Sequence, residues 1–232
     1  MSLPAGEPAA GPWRLAGVPE VLGVLDQVAG TPTGRPRVVA VDGRSASGKS
    51  VLAEKLHRAV AASAVVRTDD VAWHHSFFDW SDLMASEVLE PVRQGRAVRY
   101  RPPAWVERGR PGALTVPAGL DLVVVEGVGA GRRELADLVD AVIWVQTDVV
   151  EAERRGIARD VAEGTNGDAD EAAAFWHEWM AHEVPFLEQQ RPWERACLVV
   201  AGTAQHDAAD QVVVAPRLSL EELAEAVVGA VG

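Results

Sequence analysis

Between Arg37 and Ala62 the chain passes from an apolar run, Arg37-Val38-Val39-Ala40-Val41, through Gly43-Arg44-Ser45-Ala46-Ser47-Gly48-Lys49-Ser50, into a helix-forming segment. This order constrains the fold more than any other feature. The loop satisfies every fixed position of G-x-x-x-x-G-K-[ST]. Gly43 and Gly48 permit backbone angles that turn successive N–H groups inward and form a nest for an anion. The following helix adds the positive end of its dipole. In such a loop the lysine reaches the outer phosphates and the last hydroxyl is placed to ligate Mg²⁺. Gly43, Arg44, Ser45, Ala46, Ser47, Gly48, Lys49, Ser50 and Val51 are therefore expected to hold the polyphosphate of ATP, with Lys49 also catalytic and Ser50 a metal ligand.

Four further apolar runs follow: Val65–Thr68, Asp121–Gly127, Ala141–Thr147 and Cys197–Thr203. Runs without polar alternation suit strands buried on both faces. Helical stretches separate most of them, Val18–Ala29 precedes the first, and Ser219-Leu220-Glu221-Glu222 opens a last helix with a capping-box pattern. The expected fold is α/β: a five-stranded, mainly parallel sheet flanked by helices. It forms a single domain over 13–232, with the Ala/Gly/Pro-rich residues 1–12 as a flexible tail. The segment 71–118, between the second and third strands, is too long for a plain connection and is the expected acceptor-binding region.

The bulk properties narrow the partners. The formal net charge is −12, which argues against nucleic acid. No run approaches a membrane span, and the opening residues lack the basic and apolar stretches of a secretory leader. A cytoplasmic protein is expected. The one cysteine, Cys197, sits beside Leu198, Val199 and Val200 and reads as a small buried hydrophobe.

Phosphoryl transfer needs carboxylates near the metal and the acceptor. Glu126 ends the third apolar run, where a parallel sheet presents side chains to its ligand crevice. Asp69 and Asp70 end the second run at the same edge. A carboxylate there can take a proton from a hydroxyl and order metal waters.

The strand-and-loop segment "VVAVDGRSASGKS", the acid pair "TDD", "LEPVRQG", "VVVEGV" and "RRGIARD" resemble the uridine kinase, phosphoribulokinase and pantothenate kinase group. The similarity is strongest to uridine-kinase-like proteins of actinobacteria and spans about Arg37 to Thr203. It implies a P-loop kinase fold with a mobile lid, Asp69 as base toward the acceptor hydroxyl, and Glu126 in the Mg²⁺ site, with Asp69 beside it. The chain departs from the family where Val71-Ala72-Trp73 follow the acids and Arg101-Pro102-Pro103-Ala104-Trp105 replaces a Pro-x-Tyr-Asp element. The resemblance therefore implies a kinase without implying uridine.

Arg155 and Arg159 lie four apart on one helical face, followed by the polar hinge "AEGTNGDADE". The lid is expected over 151–170, with both arginines stabilising charge during transfer and Arg154 turned away. The aromatics Trp73, Phe77, Phe78 and Trp80 are candidates for an acceptor wall, shared with ordinary packing. Phe175, Trp176, Trp179 and Met180 form an apolar stripe suited to the core or a subunit contact, which leaves a homodimer open. The expected activity is ATP- and Mg²⁺-dependent phosphorylation of a hydroxyl on a small molecule. A P-loop regulatory ATPase without such an acceptor is the competing reading.

Overall fold

The computed structural model describes residues 1–202 and 210–216. In chain order β1 (Arg14–Gly17) leads into α1 (Val18–Ala29), β2 (Arg37–Gly43) into α2 (Lys49–Ala59), and β3 (Ser63–Arg67) into the short α3 (Thr68–Ala72). The long connection holds α4 (Ser81–Met84), a π-helical turn (Ala85–Leu89) and α5 (Glu90–Arg93). It continues through β4 (Val98–Tyr100), α6 (Pro103–Glu107) and β5 (Leu114–Val116). Then come β6 (Leu122–Glu126), β7 (Ala141–Gln146), α7 (Val149–Glu163), α8 (Ala169–Gln190), β8 (Leu198–Ala201) and β9 (Gln211–Pro216).

The sheet order is β1-β9-β8-β7-β2-β6-β3. All seven residues of β2 are buried, so it occupies the centre, parallel to β6 and β7. Val38 and Ala40 face one hydrophobic cluster with Trp144, Leu187 and Trp193. Val39 and Val41 face the other, with Leu25, Leu52 and Leu56. Alternation along a strand sends neighbours to opposite faces, and here both faces are covered.

The five expected strands are present as β2, β3, β6, β7 and β8, all parallel. Two more extend the sheet: β9 runs antiparallel to β8, and β1 antiparallel to β9. β1 is four residues long and pairs on one side only, too little for a periodic signal. The expected strand end at Thr203 and the helix from Ser219 lie outside the described residues.

Residues 1–12, expected as a flexible tail, pack on the sheet through Glu7. Glu7 is buried, and its carboxylate accepts from Trp144 Nε1 (2.7 Å), Gln146 Nε2 (2.9 Å) and Arg44 Nη2 (2.8 Å). The Ala10 amide donates to Gln146 Oε1, and the Ser2 amide to Asp148. Ala/Gly/Pro composition carries no periodic signal, yet one acid meeting three buried donors is enough to seat the segment. Among the described residues, no helix is long and apolar enough to cross a membrane.

Candidate active site

The loop between β2 and α2 lies at the C-terminal edge of the parallel strands, where an open α/β sheet presents ligands. Gly43 pairs with Val145 at the end of β7. A Cβ on Gly43 would come within 2.7 Å of the Val145 carbonyl and 2.8 Å of Ser47 Oγ. Ala46 has φ 56° and Gly48 φ 100°, a left-handed pair of turns that only glycine adopts freely. Such backbone strain in a non-glycine residue gathers at functional loops. Gly48 leaves the first turn of α2 without a side-chain cap, so its amides remain for an anion. Ser47 is buried and its Oγ has no hydrogen-bond partner among the described residues. Val51 is 62 % exposed on the first turn of α2.

Lys49 is buried and donates from Nζ to the Arg44 carbonyl at 2.7 Å. Arg44 is itself held by Glu7 through both Nε and Nη2. Ser45 donates from its amide and its hydroxyl to Glu183 of α8. The loop is thus tied to two places far from it in sequence, the N-terminal segment and α8.

Glu126 ends β6 opposite Val41 of β2 and Arg67 of β3. Its Oε1 accepts from Ser50 Oγ at 3.2 Å, and Arg67 Nε lies 3.8 Å from Oε2. Burial pushes its carboxyl above the usual range, Lys49 pulls it back, and Asp69 raises it further. That coupling puts Asp69, Glu126 and Lys49 in one electrostatic neighbourhood. Gly127 explains part of the placement: φ is 144°, and a Cβ there would overlap Thr68 Oγ1. The close approach seats the first turn of α3 beside Glu126, and Asp69 is its exposed second residue. Asp70 turns elsewhere, pairing with Arg110 Nη2 at 2.7 Å. Adjacent acids therefore face different neighbours.

A hydroxyl and a half-screened carboxylate 3.2 Å apart beside a lysine, below an uncapped helix start, form a hard-oxygen donor set. Such donors fit Mg²⁺ carried with a triphosphate. Ser50 and Glu126 would hold it, with Asp69 at the margin.

The motif missed Asp42. It is fully buried at the end of β2 and accepts from the amides of Gly43 (2.7 Å), Gly129 (2.9 Å) and Gly131 (2.9 Å). Burial pushes its carboxyl up to about 6, against those amides and Lys49. It pins the loop after β6 to the start of the phosphate loop. An acid inside an otherwise apolar strand was the available signal. Glu183 gave none, being one of several acids on a long helix.

The expected lid region is α7, a turn, and the start of α8. Arg155 pairs with Glu151 at 2.6 Å and donates from Nη1 to the Gly202 carbonyl at 2.7 Å. Gly202 in turn abuts Ser47 and Thr147. Arg159 pairs with the adjacent Asp160, and Arg154 with Glu151. Arg155 is thus one residue removed from the phosphate loop, and Arg159 lies on its own helix.

The aromatic segment divides. Trp80 is buried in the core. Phe78 stacks on Phe186 at 4.1 Å, and Phe77 meets Trp179 edge-on at 4.8 Å. Trp73 shares the Arg110 guanidinium with Trp105, whose ring lies 3.6 Å from it. Two residues of the apolar stripe of α8 pack internally: Trp176 on α7 at Gly156, and Trp179 on Phe77 and Phe78. Cys197 is buried, its thiol pushed up to about 11.

Among solved structures, a candidate fructose transport system kinase from Silicibacter sp. TM1040 is similar at 22 % identity and TM-score 0.50. The match covers 68 % of this chain and 86 % of that one. A candidate uridine kinase from Bacillus stearothermophilus has 19 % identity and TM-score 0.44, covering 78 % and 98 %. D-glycerate 3-kinase from Cryptococcus neoformans has 14 % identity and TM-score 0.46, covering 82 % and 97 %. Neither a family model nor a curated protein sequence matches the chain. The fold is the one shared with the first of these structures, a mainly parallel α/β sheet flanked by helices.

Proposed function

We propose that this P-loop protein transfers the terminal phosphoryl group of ATP to a hydroxyl on a small molecule. The observation that carries the reading is the meeting of Lys49, Ser50, Glu126 and Asp69 at one edge of the sheet, the first three within reach of the uncapped start of α2. The loop amides and Lys49 bind and orient the phosphates. Asp69, exposed and next to the metal-binding acid, accepts the proton of the acceptor hydroxyl as that oxygen attacks phosphorus and the bond to the ADP oxygen breaks. Ser50 and Glu126 would hold Mg²⁺ carried with ATP, which would neutralise charge on the phosphates. Arg155 is one carbonyl away from the loop and reaches the phosphates by leaving Gly202. Nothing in this reading requires uridine, and the Arg110–Asp70 pair with Trp73 and Trp105 makes a different wall beside Asp69.

The test is Mg²⁺-ATP turnover against a pool of nucleosides, sugars and small alcohols, with phosphorylated product detected by mass spectrometry. A product lost in both Lys49→Ala and Asp69→Asn supports the kinase. ATP loss without product that is unchanged by Asp69→Asn would favour a regulatory ATPase.

A further inference from the structure

α8 brings to the phosphate loop an acid that the proposed chemistry leaves unused. Glu183 is completely buried. Its Oε2 accepts from Ser45 Oγ at 2.7 Å and from Trp179 Nε1 at 2.6 Å, and both of its oxygens lie 3.2 Å from the Ser45 amide. These partners are all uncharged. A carboxylate without a counter-charge is costly to bury, and two of the three donors it accepts from belong to the nest. While Glu183 holds them, the amide and hydroxyl of Ser45 are withheld from any anion in the loop.

The same helix touches the segment that follows Asp69 and Asp70. Trp179, which donates to Glu183, lies 4.8 Å from Phe77 and 5.3 Å from Phe78, and Phe186 stacks on Phe78. One helix therefore joins the third residue of the loop to the aromatic side of the acceptor region.

We propose that Glu183 is a positioning residue that holds Ser45 in the nucleotide-free protein and yields it to the terminal phosphate of ATP. α8 then transmits loop occupancy to Phe77 and Phe78. The inference rests on the reading of the loop as an ATP site. A terminal phosphate offers Ser45 three oxygens and more charge than one carboxylate. ADP lacks that group and leaves Glu183 in place. The sign of the effect separates this role from a merely structural one: a competitor's removal tightens ATP, whereas a lost support loosens it.

Calorimetric titration with Mg²⁺-ATP and Mg²⁺-ADP tests it in the full chain. Glu183→Gln keeps the side-chain volume and removes the charge. It is expected to tighten ATP about fivefold or more, a typical coupling between linked sites, and ADP much less. Trp179→Phe keeps an aromatic ring and removes the Nε1 donor; Glu183 then depends more on Ser45, so the ATP-over-ADP preference is expected to fall, a change of opposite sign that can be read if Glu183→Gln fails to fold. An unchanged preference in either variant that folds, weaker ATP binding in Glu183→Gln, or a raised ATP preference in Trp179→Phe overturns the proposal while wild type still binds ATP. Equal tightening of ATP and ADP overturns it too, leaving only bulk charge removal. Wild-type protein that binds neither nucleotide overturns the reading of the loop itself, and this inference with it.

Discussion

The Glu7 carboxylate lies 2.8 Å from the Arg44 guanidinium with both side chains buried, so the first residues of the chain are tied to the second residue of the phosphate loop. Glu7 also accepts from Trp144 and Gln146 at the end of β7. A single acid thereby docks the N-terminal segment on the end of β7.

Removing one partner of a buried pair strands the other charge, which costs about 3–5 kcal/mol. Glu7→Ala is expected to lose stability of that order, and Glu7→Gln less because it can still accept from Arg44. Urea midpoints measure both. An unchanged midpoint in Glu7→Ala would mean that the segment is not docked in solution.

Gly156 faces Trp176 across the α7–α8 contact, where an added Cβ would sit 2.0 Å from the ring. Alanine gains about 1 kcal/mol in helix propensity over glycine, and overpacking a buried ring costs about 1–3 kcal/mol. The overlap is severe and the ring is buried, so Gly156→Ala should lower Tm. In a Trp176→Leu background the penalty should disappear. Additive effects in that double-mutant cycle would contradict the packing described.

Asp42 supplies a pH signature. Its carboxyl is pushed up from 3.8 to about 6 by burial, so between those values the folded protein keeps a proton that the unfolded chain has released. Stability from this group is therefore full below pH 3.8 and is lost as pH rises through about 6, in total about 3 kcal/mol. Asp42→Asn carries no such titration. It is also expected to be less stable than wild type by about 1–3 kcal/mol, because its amide nitrogen meets a backbone N–H that the carboxylate accepted. The deficit should narrow from pH 4 to pH 6 in denaturant midpoints. A deficit constant with pH would mean that Asp42 does not titrate in that window.

The neighbouring acids Asp69 and Asp70 should separate by assay. Asp69→Asn is expected to cut product formation by about 10²–10⁴, the usual worth of a general base. Asp70→Asn breaks only a partly exposed pair with Arg110, worth about 1 kcal/mol at most, and should keep most activity. Rates of product formation measured by mass spectrometry decide between them. Equal losses would assign the proton to neither residue alone.

The loop from Gly43 to Ser50, the five parallel strands and the acid at the end of β6 were legible in one dimension. Each is a local pattern: fixed glycine spacing with Lys49 and Ser50, apolar runs without alternation, and an acid directly after four apolar residues. Local patterns survive because the backbone angles and periodicities they encode need no distant partner. What only the tertiary structure decided is which distant groups meet the loop. Glu7 finds Arg44 and Glu183 finds Ser45 because the sheet and α8 bring them there. The aromatics after Asp70 pack on a helix about a hundred residues later. Such contacts depend on long-range closure of the chain, whose entropic cost is met by the assembled core rather than by any segment alone.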